Sequence, residues 1–391
     1  MGIAKGELIN GTNKKAAKEG KSEIVRKNCY LSIFSGCKIP VDVSIYGYKY
    51  MCVAIQIACE KVDVTIVSPP RELILSYWLE LYFELMISFL ESGITPIPTF
   101  DGKPFRLKDE TAEERRAKFL KEDEQIIALR TKMASGDLTK NTREALKRAV
   151  TNHIIFLEGD WNMLKEMFKA MGLPVVQKDF EAEAVGARLC RRGIAPAIAT
   201  DDSDCLAHGA PIMIRKVKKS YMMGQPFHEC QCIIRNDLLE VLELDEMQFL
   251  DFCILIGTDY NKRIKGIGFV KGLTFIRDHG NLEAAVAVLS TKNDLTGHRL
   301  NEAAIRHEIR GYFADELDFQ IVETLVMNYE ETNYELWVKS LCSEIVREKV
   351  MRLFAGGLEL LVNFNQKFAR MQKFVLVPKE DSDEQQGICS T

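Results

Sequence analysis

Two pairs of carboxylates, Glu181/Glu183 and Asp202/Asp204, stand at the two ends of the stretch DFEAEAVGARLCRRGIAPAIATDDSDCL, residues 179–206. Carboxylates are hard oxygen donors suited to divalent cations such as Mg²⁺ or Mn²⁺. Either pair alone has an ordinary explanation: acids in a first helical turn complement the macrodipole, and Asp-rich loops after strands are common turn chemistry. Brought to one place, the two pairs would repel each other strongly unless cations lay between them. The joint pattern therefore points to a metal site.

The segment from Phe180 to Arg192 has the Ala, Leu and Glu content of a helix, with Asp179 as its N-cap and Gly193 as its stop. Ile194 to Thr200 reads as a short buried strand that delivers Asp202 and Asp204 just beyond its carboxyl end, where open α/β sheets hold ligands. Glu181 and Glu183 lie about 200° apart around a helix, so they converge only if Glu181 belongs to its first turn.

Upstream, Ile39-Pro40-Val41-Asp42-Val43-Ser44 reads as a first core strand ending in an acid, after a lysine-rich opening with no clear pattern. Thr95 to Pro104 reads as a second strand, closing in a turn at Asp101. Strand-like segments ending in Asp42, Asp101 and Asp202/Asp204, with helices between them, predict a mixed α/β fold around a mostly parallel sheet. All these acids would then share one sheet edge. A helix over Glu246 to Gly257, ending in Thr258-Asp259-Tyr260, offers one more.

At 391 residues, with 47% hydrophobic content, the chain is long enough for a large core. A net charge of -4 makes no global case for a nucleic-acid partner, which would need a local basic surface. Eleven cysteines without regular spacing predict reduced thiols, no disulfide and no zinc site in an intracellular protein. Leu73 to Leu90 is apolar enough to resemble a membrane span, but Glu80 and Glu84 interrupt it one turn apart, so a buried helix of a soluble protein is expected.

The local basic surface has two candidates. Residues 105–152 are charged and helical, and Lys108, Arg115 and Lys118 recur at helical intervals with Arg116 beside them. Interleaved glutamates also allow a solvated hairpin there, but the segment starts right after Asp101 and so overhangs the proposed site. Second, Lys265-Gly266-Ile267-Gly268 with Lys271 places a Gly-x-Gly turn between helices, exposing backbone amides to a phosphodiester. The end, KEDSDEQQGICST, is acidic and expected to be disordered from about residue 379.

With these residues in hand, the sequence resembles the flap endonuclease (XPG-type) family of structure-specific, metal-dependent nucleases. VDVS, FDGKP, EAEA, TDDSDCL, LIGTDY and GIG follow in that family's order, each acid in place. The resemblance implies a PIN-like nuclease core over residues 1–280. It carries a helical arch at about 105–152 and a helix-two-turn-helix at about 250–280, with further helices over 281–378. It implies that Asp42, Asp101, Glu181, Glu183, Asp202, Asp204 and Asp259 hold two Mg²⁺ ions, replaceable by Mn²⁺. Lys108 and Arg115 would form the catalytic basic pair, and Tyr48 or Tyr260 would lie near the scissile nucleotide. Arg263 stands where the family has a serine that helps hold K⁺, and Phe269 where it has a proline, so K⁺ there is left open. The family's first helix is not recognisable after Met-Gly-Ile, and no sliding-clamp motif is recognisable at the other end.

The expectation is a monomeric Mg²⁺-dependent endonuclease cutting branched DNA at single-strand/double-strand junctions, with possible 5′–3′ exonuclease activity, acting in the nucleus or at a replication site. DNA contacts are expected from Tyr48, Arg116, Lys118, Tyr260, Lys265, Gly266, Gly268 and Lys271. Two alternatives remain: a catalytically weak junction-binding protein, and a Mg²⁺ phosphatase. The latter would want a second Asp where the first strand offers Asp42-Val43-Ser44.

Overall fold

The run Lys38–Asp42, β-rich and apolar, forms a central strand because both its faces are covered, and the next residue already starts a helix. In the computed structural model the elements run α1 (Glu7–Lys18), β1 (Val25–Tyr30), β2 (Lys38–Asp42), α2 (Val43–Cys59), α3 (Arg71–Glu91), β3 (Thr95–Phe100), α4 (Asp109–Ala134), α5 (Lys140–Asn152), α6 (Glu158–Ala170), β4 (Val176–Gln177) and α7 (Ala182–Arg191). They continue with β5 (Ile198–Ala199), α8 (Asp204–Ala207), β6 (Ile212–Met222), β7 (Gln225–Ile234), α9 (Arg235–Leu242), α10 (Glu246–Ile256), α11 (Phe269–His279), α12 (Leu282–Ser290), α13 (Glu331–Ser340) and α14 (Glu344–Val375). The structure describes residues 3–102, 109–222, 225–258, 261, 263–295, 298, 300, 325, 327–341 and 343–375; for 4, 5, 109–119, 222, 225, 358 and 365–375 it describes the backbone only.

The seven strands lie in the order β1-β7-β6-β5-β2-β3-β4. Neighbours from β4 through β6 are parallel, whereas β7 is antiparallel to both β6 and β1. β4 pairs only at Thr99 and Phe100, beyond Pro96 and Pro98, which have no backbone N–H to donate. Adjacent strand residues point to opposite faces: Ala199 and Ile214 join the core under α2, α3 and α14, while Ile198 and Met213 join the core under α1, α9, α10 and α11. The sheet is therefore sandwiched, and its carboxyl edge is left for function.

α3 is long and apolar enough to cross a membrane by length and composition. Its Trp78, Leu79, Tyr82, Met86 and Phe89 are instead fully buried in the core, with α14 packed along it and Glu80 paired to Lys349 at 2.5 Å. The charged segment after Asp101 does form a helical hairpin, α4 and α5, anchored by Leu146 at 0% exposure.

Several sequence expectations need correction. The patternless opening contains α1 and the edge strand β1, so β2 is the first strand of the parallel part only. The helix expected over 180–192 starts two residues later, with Glu181 rather than Asp179 at its N-cap, and Gly193 follows it at φ 71° as the expected stop. The strand expected over 194–200 pairs only at Ile198 and Ala199. The β6–β7 hairpin was not anticipated at all.

Candidate metal centre

Each acid reaches the edge by its own local device. Asp42 is the last residue of β2 and the N-cap of α2: its Oδ1 accepts the Ile45 N–H at 3.1 Å, which starts that helix. Asp101 follows β3, and its Oδ1 accepts the Ala182 N–H at 2.9 Å, so an acid from one strand end caps the first turn of α7. Asp202 follows β5; its N–H donates to Thr200 Oγ1 at 3.0 Å, and its Oδ1 accepts the Asp204 N–H at 3.0 Å. Asp204 begins α8 and is buried.

The Glu181/Glu183 pair converges in a way the helical period alone does not give. Glu181 sits outside the helix in extended conformation (φ −69°, ψ 148°), and its side chain does not cap α7. Released from the 100° step, it lies close enough to Glu183 to be the largest charge acting on it. Glu183 itself is buried in the first turn.

The electrostatics join these groups into one cluster. Burial first, and then the Asp101 charge, push the Asp42 carboxyl well above the usual carboxylate range; the Ile45 N–H and Thr200 hydroxyl oppose this. Burial likewise raises Glu183, followed by Glu181, Asp42, Asp202 and Asp101. Six acids predicted from sequence thus come to one edge: Asp42, Asp101, Glu181, Glu183, Asp202 and Asp204. Among the described residues no three acids, histidines or cysteines form a closed coordinating group. The donors nevertheless fit a hard divalent ion, since they are all oxygen and their mutual repulsion is what a cation would relieve.

The other expected site residues divide in two. Asp259, Tyr260 and Lys108 lie outside the described residues, as do the side chains of Arg115, Arg116 and Lys118, although α4 carries the last three. Tyr48 is 46% exposed on α2 and meets Phe156 edge-on at 4.9 Å. Lys265 and Lys271 are exposed on either side of the turn between α10 and α11. Gly266 adopts φ 82°, and Gly268 is the N-cap of α11. This helix–turn–helix belongs to the second core, away from the β3–β4 end of the sheet.

Four residues of the site were missed. Thr200 Oγ1 donates to Asp42 Oδ2 at 2.8 Å, Ser44 Oγ accepts the Asp101 N–H at 3.3 Å, and Gln177 Nε2 donates to the Asp101 carbonyl at 2.7 Å. Lys49 Nζ meets Asp201 Oδ2 at 3.3 Å, placing a cation beside the acids. The signal for Thr200 was present: a hydroxyl ending a buried strand needs a partner, and the adjacent strand ends in an acid.

Comparison with known proteins finds related chains and folds. Residues 15–122 match the XPG N-terminal domain and residues 172–259 the XPG I-region. Flap endonuclease 1-A of Sorghum bicolor is 33% identical over 284 residues, covering 73% of this chain and 68% of that protein. Among solved structures, flap endonuclease-1 from Methanococcus jannaschii superposes with a TM-score of 0.54 at 20% identity, covering 86% of this chain and 96% of its own. A eukaryotic junction-resolving enzyme, GEN-1, solved binding potassium, shares the fold at a TM-score of 0.50 and 16% identity, covering 90% and 78%.

Proposed function

Since the chain belongs to the XPG-type flap endonuclease family of structure-specific DNA nucleases, hydrolases of phosphodiester bonds, we propose that its strand-end acids hold two Mg²⁺ ions and cut branched DNA at single-strand/double-strand junctions. What supports the reading is that buried Asp42 and Glu183 are both pushed well above the usual carboxylate range, by burial first and then by neighbouring carboxylates, Asp101 for Asp42 and Glu181 for Glu183. A fold does not gather like charges at one edge without a counter-charge to receive.

Two such ions, when bound, supply activation of the attacking water and stabilisation of the leaving 3′ oxygen. The chain's own residues do the rest. Asp101, Glu181, Glu183 and Asp202 take the larger share of direct coordination, while Asp42, Asp204 and Asp259 act in part through water. Thr200 and the Ile45 amide fix the Asp42 carboxylate, so its rotamer is set before substrate arrives. Ser44, Gln177 and the Ala182 amide hold Asp101 from three sides. Lys108 and Arg115, at the start of the arch, neutralise the scissile phosphate, and Tyr48 and Tyr260 offer faces on which its nucleotide stacks. Arg116 and Lys118 add phosphate contacts. Lys265, Gly266, Gly268 and Lys271 bind the duplex arm through backbone amides and charge.

The nuclease core spans residues 1–280 with the C-terminal helices packed against it, and the protein works as a monomer where replication, repair or recombination exposes branched DNA in the nucleus. Incubation with labelled 5′-flap, nicked, bubble and single-stranded DNA in Mg²⁺, with and without chelator, tests the reading. Cleavage confined to junction-bearing substrates and to the metal supports it; cleavage undiminished in chelator sinks it.

A further inference from the structure

The turn between α10 and α11 holds a cation of its own. Arg263 donates from Nε to the Ile267 carbonyl at 3.1 Å, and from Nη1 and Nη2 to the two carboxylate oxygens of Glu7 at 2.9 Å each. This planar, two-bonded fork leaves the guanidinium in one fixed place. There it packs, 42% exposed, against two glycines of the turn: a Cβ added at Gly268 would lie 2.6 Å from Nη2, and one at Gly257 would lie 3.1 Å from Arg263 Cβ. Both glycines therefore make room for the arginine. Two more carbonyls of the described turn are engaged, Ile264 O by the Ile267 N–H at 3.1 Å and Gly268 O by the Gly272 N–H at 2.8 Å.

Glu7 comes from α1, the helix that the sequence did not reveal. α1 is seated on α11 by a second contact, because a Cβ at Gly11 would lie 2.4 Å from the Phe269 ring. The two residues that depart from the family pattern, Arg263 and Phe269, are thus the two that fasten the N-terminal helix to the turn. A monovalent ion at the Ile267 carbonyl would face a guanidinium already bonded to that oxygen, and like charges at that distance disfavour each other. The described residues of this turn do not fit a potassium ion.

We infer that Arg263, locked by Glu7, is a fixed cation of this turn, so that its grip on duplex DNA needs no potassium and includes α1 as a structural part. The inference rests on the reading of the turn as the duplex-binding element, and the test separates the two.

Affinity of the full chain for a labelled duplex, and its melting temperature without DNA, would be measured in KCl, NaCl and choline chloride at equal ionic strength. Wild type should bind within about twofold in all three salts, since counterion release follows ionic strength and not cation identity. Its melting temperature should also be the same in each. R263K, which keeps a cation, should remain indifferent to salt type. R263S should bind more weakly in choline and recover in KCl, by roughly tenfold if it loses one charge-assisted contact. Wild-type binding or melting that improves in KCl alone would overturn the inference, as would an R263S chain indifferent to the salt. If K265E left duplex affinity unchanged, the duplex reading would fail instead, while the wild-type melting series would still decide whether the turn takes potassium.

Discussion

Thr200 Oγ1 donates to Asp42 Oδ2 at 2.8 Å, both groups being buried, and this bond ties the ends of β5 and β2 together beneath the acid cluster. It fixes Asp42 from beyond the neighbouring strand, and it opposes the effect of burial on that acid. Replacing it with an isosteric methyl, Thr200→Val, should leave the fold intact. The Mg²⁺ concentration for half-maximal cleavage should rise by about tenfold or more, as when other residues that orient metal ligands are lost. A metal titration of the cleavage rate checks this, and an unchanged midpoint would remove Thr200 from the site.

Without metal the cluster should make the protein less stable as pH rises. Asp42 and Glu183 are raised in the folded state above their ordinary values, so their contribution is fully present below the unfolded carboxylate range. It is lost as pH rises through their higher folded values. In chelator the melting temperature should therefore fall as pH rises above the unfolded carboxylate range, and the fall should be smaller in Asp42→Asn and Glu183→Gln. Both variants should melt higher than wild type in chelator at neutral pH, and both should lose stabilisation by Mg²⁺. Variants that melted lower in both conditions would show the acids acting as ordinary structural groups.

Gly102 bears on the same edge by geometry alone. A Cβ there would lie 1.8 Å from the Lys178 carbonyl, a backbone atom that cannot step aside. The Gly102 N–H also donates to Phe180 O at 2.8 Å. Gly102→Ala should push the chain after β3 away from the start of α7, stretching the Asp101–Ala182 bond, and destabilise the fold by about 1–3 kcal/mol. Chemical denaturation with and without Mg²⁺ measures it; a stability equal to wild type would mean the approach is looser than described.

If Lys108 and Arg115 face the acids, the arch separates chemistry from docking. Lys108→Ala or Arg115→Ala should lower the single-turnover rate by roughly 3 kcal/mol while changing affinity little, as for other charge contacts made in the transition state. Lys140, whose side chain is 88% exposed on α5, and Lys147, 3.9 Å from Glu60, should on substitution mainly soften the salt dependence of binding. Four variants with equal, small binding losses and intact saturated rates would reduce the arch to a solvated hairpin.

The strand ends were legible because parallel strands buried on both faces read as apolar runs, and an acid closing such a run stands out. Asp42, Asp101, Asp202 and Asp204 were placed on one edge by that rule alone. The Glu181/Glu183 convergence was not legible, since it depends on Glu181 leaving the helix as its N-cap while Asp101 takes over the first amide from another strand. Nor was α1: in ELINGTNKKAAK, the glycine and asparagines are poor helix formers, and the helix exists because Leu8, Ile9 and Ala16 are buried in the core where α1 meets α9 and α11. The β6–β7 hairpin hid its alternation behind an irregular register between Arg215 and Lys218.

Acids from three strand ends and from the start of α7 are expected to act together through divalent metal on junction DNA. The most direct measurement is single-turnover cleavage of a labelled 5′-flap by wild type, Glu181→Ala and Asp202→Ala, in Mg²⁺ and in chelator, with DNA affinity measured alongside. The account predicts cleavage by wild type in Mg²⁺ only, and losses of several orders of magnitude in both variants with DNA still bound. Wild-type rates in either variant, or cleavage that survives the chelator, would contradict it.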